Sequence, residues 1–280
     1  MKIGINLWNW TKNPCEDIAG LVLHVAEMGF GAVELPLNRL SEWDISGIAE
    51  SLRKTGLYLT LCAQLSNGLD GSSPDEVTRQ KTIQYLQNGL EAGASLGASV
   101  LAGPLYGGSG KRQFLPPAEK AAELSRAVDT LTVLSPRAEK LGIKLALEPI
   151  NRYRTSVVNT TAQALALISK IGSPALGILF DTYQANIEES DPINALENVL
   201  SAGKLFHFHA CENHRGAPGS GHIDWIAYLK ALKAGGYTGH LTMETFTLGG
   251  LDSGFLETPE PDKVARDGLD YLTGLLKAGI

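Results

Sequence analysis

Short apolar runs recur along the chain, and longer stretches with apolar residues at helical spacing separate them. The runs at 3–8, 32–35, 58–62, 99–102, 143–147, 176–180, 205–209 and 241–243 each read as a buried strand. The stretches at 17–28, 41–54, 75–96, 118–140, 161–171, 192–202, 225–234 and 262–277 predict helices. Eight strands alternating with eight helices predict an α/β chain, a single (β/α)8 TIM barrel spanning residues 1–280. Glycines such as Gly56, Gly97, Gly142 and Gly172 fall between a helix pattern and the next strand. Helices often stop there on a left-handed residue. Pro136 lies inside the fourth helix pattern and predicts a kink or a break.

Composition narrows this reading. At 280 residues the chain suits one barrel, which takes about 250. With 44% hydrophobic and 19% charged residues it is ordinary globular material that builds a core without disulfides or a structural metal. A bound metal would therefore serve chemistry. The net charge of −6 weighs against nucleic acid as a partner, since such binding rests on cationic side chains. No apolar run reaches membrane-spanning length, so no membrane partner is expected. Cys15, Cys62 and Cys211 lie far apart and read as reduced. The first residues, MKIGINLWNW, run into a strand pattern without a signal-peptide design, and a cytoplasmic location is expected. Residues 107–111, GGSGK, lack the spacing of a phosphate loop: Leu105 stands where its first glycine belongs, and Arg112 where Ser or Thr belongs. They read as a mobile loop over the barrel mouth. GAPGSG at 216–221 reads as another loop.

The chemistry lies in what ends the strands. LALE closes on Glu148, GILFD on Asp181, LFHFH on His209 and LTME on Glu244. In this fold the carboxyl ends of the strands share one face, where active sites sit. Four successive strands thus aim three carboxylates and an imidazole at one volume. Packed alone, the carboxylates would repel one another, and a divalent cation removes the conflict. Three oxygens and one nitrogen favour Mn²⁺, Mg²⁺ or Co²⁺, with Zn²⁺ also open. Any one of these acids could instead cap a helix or pair with an arginine; four in succession argue otherwise. Glu34, in the second strand's AVEL, lies nearby as a structural residue or a substrate contact. His207 and His209 point the same way. The deeper His207 reads as a support for His209. His214 and His222, in the loop after the seventh strand, are candidate substrate contacts.

The segments LEPINRYRTSVVNT, FDTYQANIEE, HFHACENHRGAPGSGHIDW and METF, with VAEMGFGAVEL and GPLY, resemble the ketose 3-epimerases, within the xylose isomerase-like barrels. The resemblance runs from the first strand to the last. It implies a metal site at Glu148, Asp181, His209 and Glu244, holding Mn²⁺ or a similar ion, with the two glutamates also acting as the acid/base pair. It implies substrate contact by Arg215, and we expect further contacts from Gln184, Arg154, Glu34, Tyr106 and Phe246. The expected partners are a small sugar or keto-sugar and further copies of the chain, as a dimer or tetramer. Three departures concern the far end of the substrate. Gln184 replaces a histidine, Arg154 replaces a glutamate, and Gly107, Gly108 and Ser109 lie where an aromatic is usual. Alternatives are isomerisation of a sugar acid, sugar phosphate, 3-keto sugar or small keto acid, the last because EPIN also resembles hydroxypyruvate isomerases. A DNA-repair endonuclease of the same superfamily and a non-catalytic sugar-binding barrel stand further off.

Overall fold

The computed structural model describes residues 1–10, 17–37, 39–66, 68–247 and 260–280. Cys15 and residues 248–259 lie outside them. Eight parallel strands close in sequence order into a barrel: β1 Lys2–Asn6, β2 Ala32–Pro36, β3 Tyr58–Cys62, β4 Val100–Gly103, β5 Lys144–Leu147, β6 Leu176–Asp181, β7 Leu205–Ala210 and β8 His240–Met243. β8 pairs with β1 to complete the ring, with Lys2 opposite His240. Around it stand α1 Ile18–Glu27, α2 Ile45–Thr55, α3 Glu76–Leu96, α4 Pro117–Leu141, α5 Thr161–Ile171, α6 Thr182–Glu188, α7 Pro192–Ser201, α8 Trp225–Ala234 and α9 Pro261–Lys277. No described helix is long and apolar enough to cross a membrane.

Alternation along the strands builds two layers. Val33, Leu35, Leu59, Leu61, Leu145, Leu147, Ile178 and Phe180 face outward into one core shared with the helices. Their neighbours face the lumen: Val100, Ala102, Ala146 and Leu179 make a small apolar cluster on β4 to β6. On the other side of the lumen Asn6, Glu34, Thr60, His207 and His209 are buried and polar. A polar barrel interior is costly unless its groups find partners; here Asn6, Thr60, His207 and His209 Nε2 all bond to the Glu34 carboxylate.

Helix boundaries follow local chemistry. Asp44 and Asp75 cap α2 and α3 by accepting from Gly47 and Thr78 backbone N–H groups. Thr160 and Gln163 form a capping box at α5. α2 ends on Gly56 at φ +67° and α4 on Gly142 at φ +69°, where a side chain would be strained. The break expected at Pro136 does not occur, because α4 continues through it. Pro136 is exposed, so the carbonyl that its ring leaves without an N–H lies on the solvent side. The short α6 was not predicted, since TYQANIE carries no helical apolar stripe.

Candidate active site

The four strand-end residues converge. Asp181 ends β6 and His209 lies on β7 directly opposite it in register. Glu148 and Glu244 follow the last residues of β5 and β8. Each offers one ligand atom, and these atoms all lie within 4.8 Å of one another. All four side chains are buried.

The electrostatics are those of an acid cluster in want of a cation. Burial, then Glu244 and Asp181, push Glu148 up to about 8. Burial opposes ionisation of Asp181, but Arg215 and His209 outweigh it and hold that carboxyl well below its usual range. Burial likewise disfavours the imidazolium of His209, but Glu34 and Glu244 raise it well above the ordinary histidine value. His209 Nδ1 is buried without a hydrogen-bond partner. It faces Asp181 Oδ2 at 3.7 Å and Glu244 Oε2 at 3.5 Å. A buried polar atom without a partner is rare and calls for an explanation. One nitrogen and three carboxylates around an unsatisfied centre fit a hard divalent ion. The second buried group, Glu34 with His207 and His209, does not. Its N···O separations are 2.8 Å, hydrogen-bond distances that leave no room for an ion between the atoms.

Arg215 enters from the loop after β7. Its backbone is left-handed at φ +64°, and its N–H donates to the Glu212 carbonyl at 3.0 Å. Nη1 reaches Asp181 Oδ2 at 2.7 Å and Glu244 Oε2 at 2.9 Å. Its guanidinium lies 4.2 Å from the Tyr183 ring centroid and 5.4 Å from that of Phe246. Nε is buried and has no hydrogen-bond partner among the described residues. Glu212 organises this loop. Its buried carboxylate accepts from Trp225 Nε1 at 2.7 Å, Gly219 N at 2.9 Å and Asn213 N at 3.1 Å.

Above the quartet a cavity opens, lined among others by Trp8, Asn151, Arg154, Gln184, Arg215 and Phe246, with Glu148 and Glu244 at its base. Gln184 is fixed within it. Its Oε1 accepts from Asn151 N at 2.9 Å and Nδ2 at 2.7 Å, so its amide nitrogen turns to Glu148 Oε1, 3.4 Å away. The N-terminus of α6 sets its height, because Asp181 Oδ1 caps that helix by accepting from Gln184 N at 3.0 Å.

Two expected substrate contacts lie elsewhere. Tyr106 is wholly buried, and its hydroxyl donates to the carbonyls of Glu148 at 2.9 Å and Val158 at 2.8 Å. It braces the backbone that carries Glu148. Glu34 is also wholly buried, beneath the quartet, and bonds to His207 and His209. His214 and His222 make only polar contacts within the surface: His214 with Asn213 and Ser220, His222 with Asn186. The expected mobile loop at 107–111 is tied down. Gly108 N donates to Asp70 and Gly110 N to the Arg154 carbonyl. Lys111 pairs with Asp70 and Glu123 rather than facing the cavity. A side chain at Gly108 would run into the Leu69 carbonyl, so the usual aromatic cannot stand there. Asn151, Tyr183 and Glu212 were not singled out from the sequence as site residues. Asn151 was within reach, three residues after Glu148 in EPIN. Nothing in the pattern marks Glu212, whose partners lie up to thirteen residues on.

Comparison with known proteins agrees with the fold. A family model described as xylose isomerase-like TIM barrel matches residues 22–275. A ketose 3-epimerase of Arthrobacter globiformis is 36% identical over 248 residues, which is 88% of this chain and 84% of that protein. A 3-dehydro-D-guloside 4-epimerase of Escherichia coli K12 is 30% identical over 280 residues, covering 97% of this chain and 99% of that one. The crystal structure of a D-allulose 3-epimerase from Methylomonas sp. superposes with a TM-score of 0.90 at 25% identity, over 98% of each chain.

Proposed function

The chain belongs to the xylose isomerase-like TIM barrel family, and from that premise we propose that it is a metal-dependent ketose 3-epimerase. The observation that carries this reading is the buried quartet of Glu148, Asp181, His209 and Glu244, with an unsatisfied His209 nitrogen at its centre. We assign all four as ligands of one divalent ion, Mn²⁺ by preference. When bound, the ion supplies a positive charge that stabilises the oxyanion formed as the substrate loses a proton.

The protein's own groups do the rest. Inverting a carbon beside a ketone means removing its proton from one face and returning one to the other. Glu148 and Glu244 directly follow β5 and β8, with β6 and β7 between them, which suits approach from two sides. One carboxylate takes the proton and the other gives one, and the starting epimer decides the direction. Arg215 Nε and the Gln184 amide donate to substrate oxygens. Gln184 cannot carry a proton itself. Trp8 and Phe246 wall the cavity and limit water.

A second substrate class uses the same step. In a 3-keto sugar or its glycoside, C4 also lies beside a ketone. Similarity over nearly the whole chain to the E. coli 4-epimerase favours keeping this class in view. We further propose a homo-oligomer, a dimer or tetramer. A sedimentation experiment that finds only monomer would count against it.

The test is conversion of a panel of ketoses and 3-keto sugars in D₂O by the Mn²⁺-loaded protein. We expect deuterium at the inverted carbon. Conversion without label in any product would replace proton exchange with a hydride shift. Glu148→Gln and Glu244→Gln variants with full turnover would remove the acid/base assignment.

A further inference from the structure

We propose that Glu34 is a positioning residue for the metal site, holding His209 so that only its Nδ1 can face the ion. The inference rests on the reading that the quartet binds a cation. Glu34 lies on β2, in the lumen below the mouth, and is wholly buried. Its carboxylate accepts four hydrogen bonds. Oε1 takes His209 Nε2 at 2.8 Å and Asn6 Nδ2 at 2.8 Å. Oε2 takes His207 Nε2 at 2.8 Å and Thr60 Oγ1 at 3.0 Å. Donors from β1, β3 and β7 thus converge on one anion across the barrel.

An ionised carboxylate can only accept. Both histidines must therefore carry hydrogen on Nε2, and the hydrogen bond leaves Nδ1 of His209 as the atom offered to a ligand. That is the nitrogen without a partner, aimed between Asp181 and Glu244. The arrangement has the logic of carboxylate–histidine–metal triads, in which the outer carboxylate fixes tautomer and ring orientation. His207 contributes by occupying the second oxygen, so Glu34 cannot turn away from His209. The substrate-contact role expected for Glu34 gives way to this one, two bonds removed from the chemistry.

Glu34→Gln tests it with little change of shape. The glutamine has one acceptor oxygen and one NH₂ donor, so it faces an Nε2–H with a donor. Either a ring turns or a histidine moves its proton to Nδ1. We expect Mn²⁺ affinity, measured by calorimetry, to fall about 10–100-fold. In the Mg²⁺-saturated protein, nitrogen NMR should show His209 Nε2–H in the wild type and a changed tautomer in the variant. Turnover at saturating Mn²⁺ should largely recover. If Glu34→Gln does not fold, Thr60→Val removes one donor at constant volume, and a few-fold loss of Mn²⁺ affinity is expected. Lower thermal stability with wild-type Mn²⁺ affinity, in whichever variant folds, would make Glu34 a core residue only and overturn the proposal. A wild-type protein that binds no divalent ion would instead defeat the functional reading first.

Discussion

Arg215 links the quartet of Glu148, Asp181, His209 and Glu244 to the cavity, and its backbone and side chain are both constrained there. A non-glycine residue at φ +64° persists only where its surroundings over-determine it. Here the Glu212 turn sets the backbone, and the rings of Tyr183 and Phe246 flank the guanidinium. Lysine keeps the charge but loses the planar fork and the stacking. Arg215→Lys should therefore fold normally and lose about 10–100-fold in kcat/KM, the worth of a hydrogen bond to a charged group. Steady-state kinetics showing less than a twofold change would remove Arg215 from the substrate contacts. Arg154 poses a different question, because it lines the outer cavity and its carbonyl is held by Gly110. We expect Arg154→Ala to raise KM about tenfold with kcat kept, the mark of uniform binding. The loss should be greater for substrates with a carboxylate at the far end, and an unchanged KM across neutral and anionic sugars would exclude contact. The quartet was legible in the sequence because strand ends of a barrel share one face. Glu34 stayed open between a structural role and a substrate contact because the same logic cannot tell whether a side chain stops at the mouth or below it, and the substrate contact expected of Tyr106 gives way to its bonds with the Glu148 and Val158 carbonyls. For Glu34 that depends on donors brought from three other strands.

At the scale of elements, chemistry and helix termini are shared. Asp181 is the last residue of β6, a proposed metal ligand and the N-cap of α6. That economy explains how a seven-residue helix without an apolar stripe holds its place: it starts on a carboxylate fixed by the barrel. Strands and long helices were legible from period alone, and Tyr58–Cys62, Thr161–Ile171 and Trp225–Ala234 match the sequence reading at both ends. α6 was not, because its cause is a single cap rather than a pattern. Pro136 shows the opposite case, a strong local signal overridden by its setting. Its exposed position inside α4 lets water take the orphaned carbonyl, and the packed residues Leu134 and Ala138 on either side keep the helix continuous. The proline still removes one helix bond, so Pro136→Ala should stabilise the fold, by about 1–2 kcal/mol out of the roughly 3 that separate the two residues in a free helix interior. Denaturant titration that finds the variant less stable would mean that the proline ring contributes more through its packing than the helix bond it removes.

The barrel as a whole carries its acid cluster at the mouth, and its two ends respond to pH through different groups. At the lower rim His240 begins β8, opposite Lys2 on β1. Its ring stacks on Tyr58, with centroids 4.1 Å apart at 22°. Partial burial first, then the neighbouring His207, Lys2 and the N-terminus, lower His240 from 6.5 to about 4. In the unfolded chain the histidine takes up its proton near 6.5, before the folded one does. The unfolded state therefore binds more protons between pH 6.5 and 4, and stability falls as pH falls through that window. Above pH 6.5 the contribution of the neutral ring is fully present; below about 4 it is lost. His240→Phe keeps an aromatic against Tyr58 and removes the titration. Carboxylates at the mouth add their own slopes, so the comparison of interest is the difference between the two proteins. Urea unfolding at a series of pH values should give the wild type a steeper loss from 6.5 toward 4 than the variant, with the curves parallel above 6.5. Parallel curves throughout would mean that His240 stays hydrated enough to titrate as it does in the unfolded chain. The acid sensitivity of the fold would then lie in other groups, among them Asp181, Glu34 and Asp70, whose carboxyls are held below their usual range.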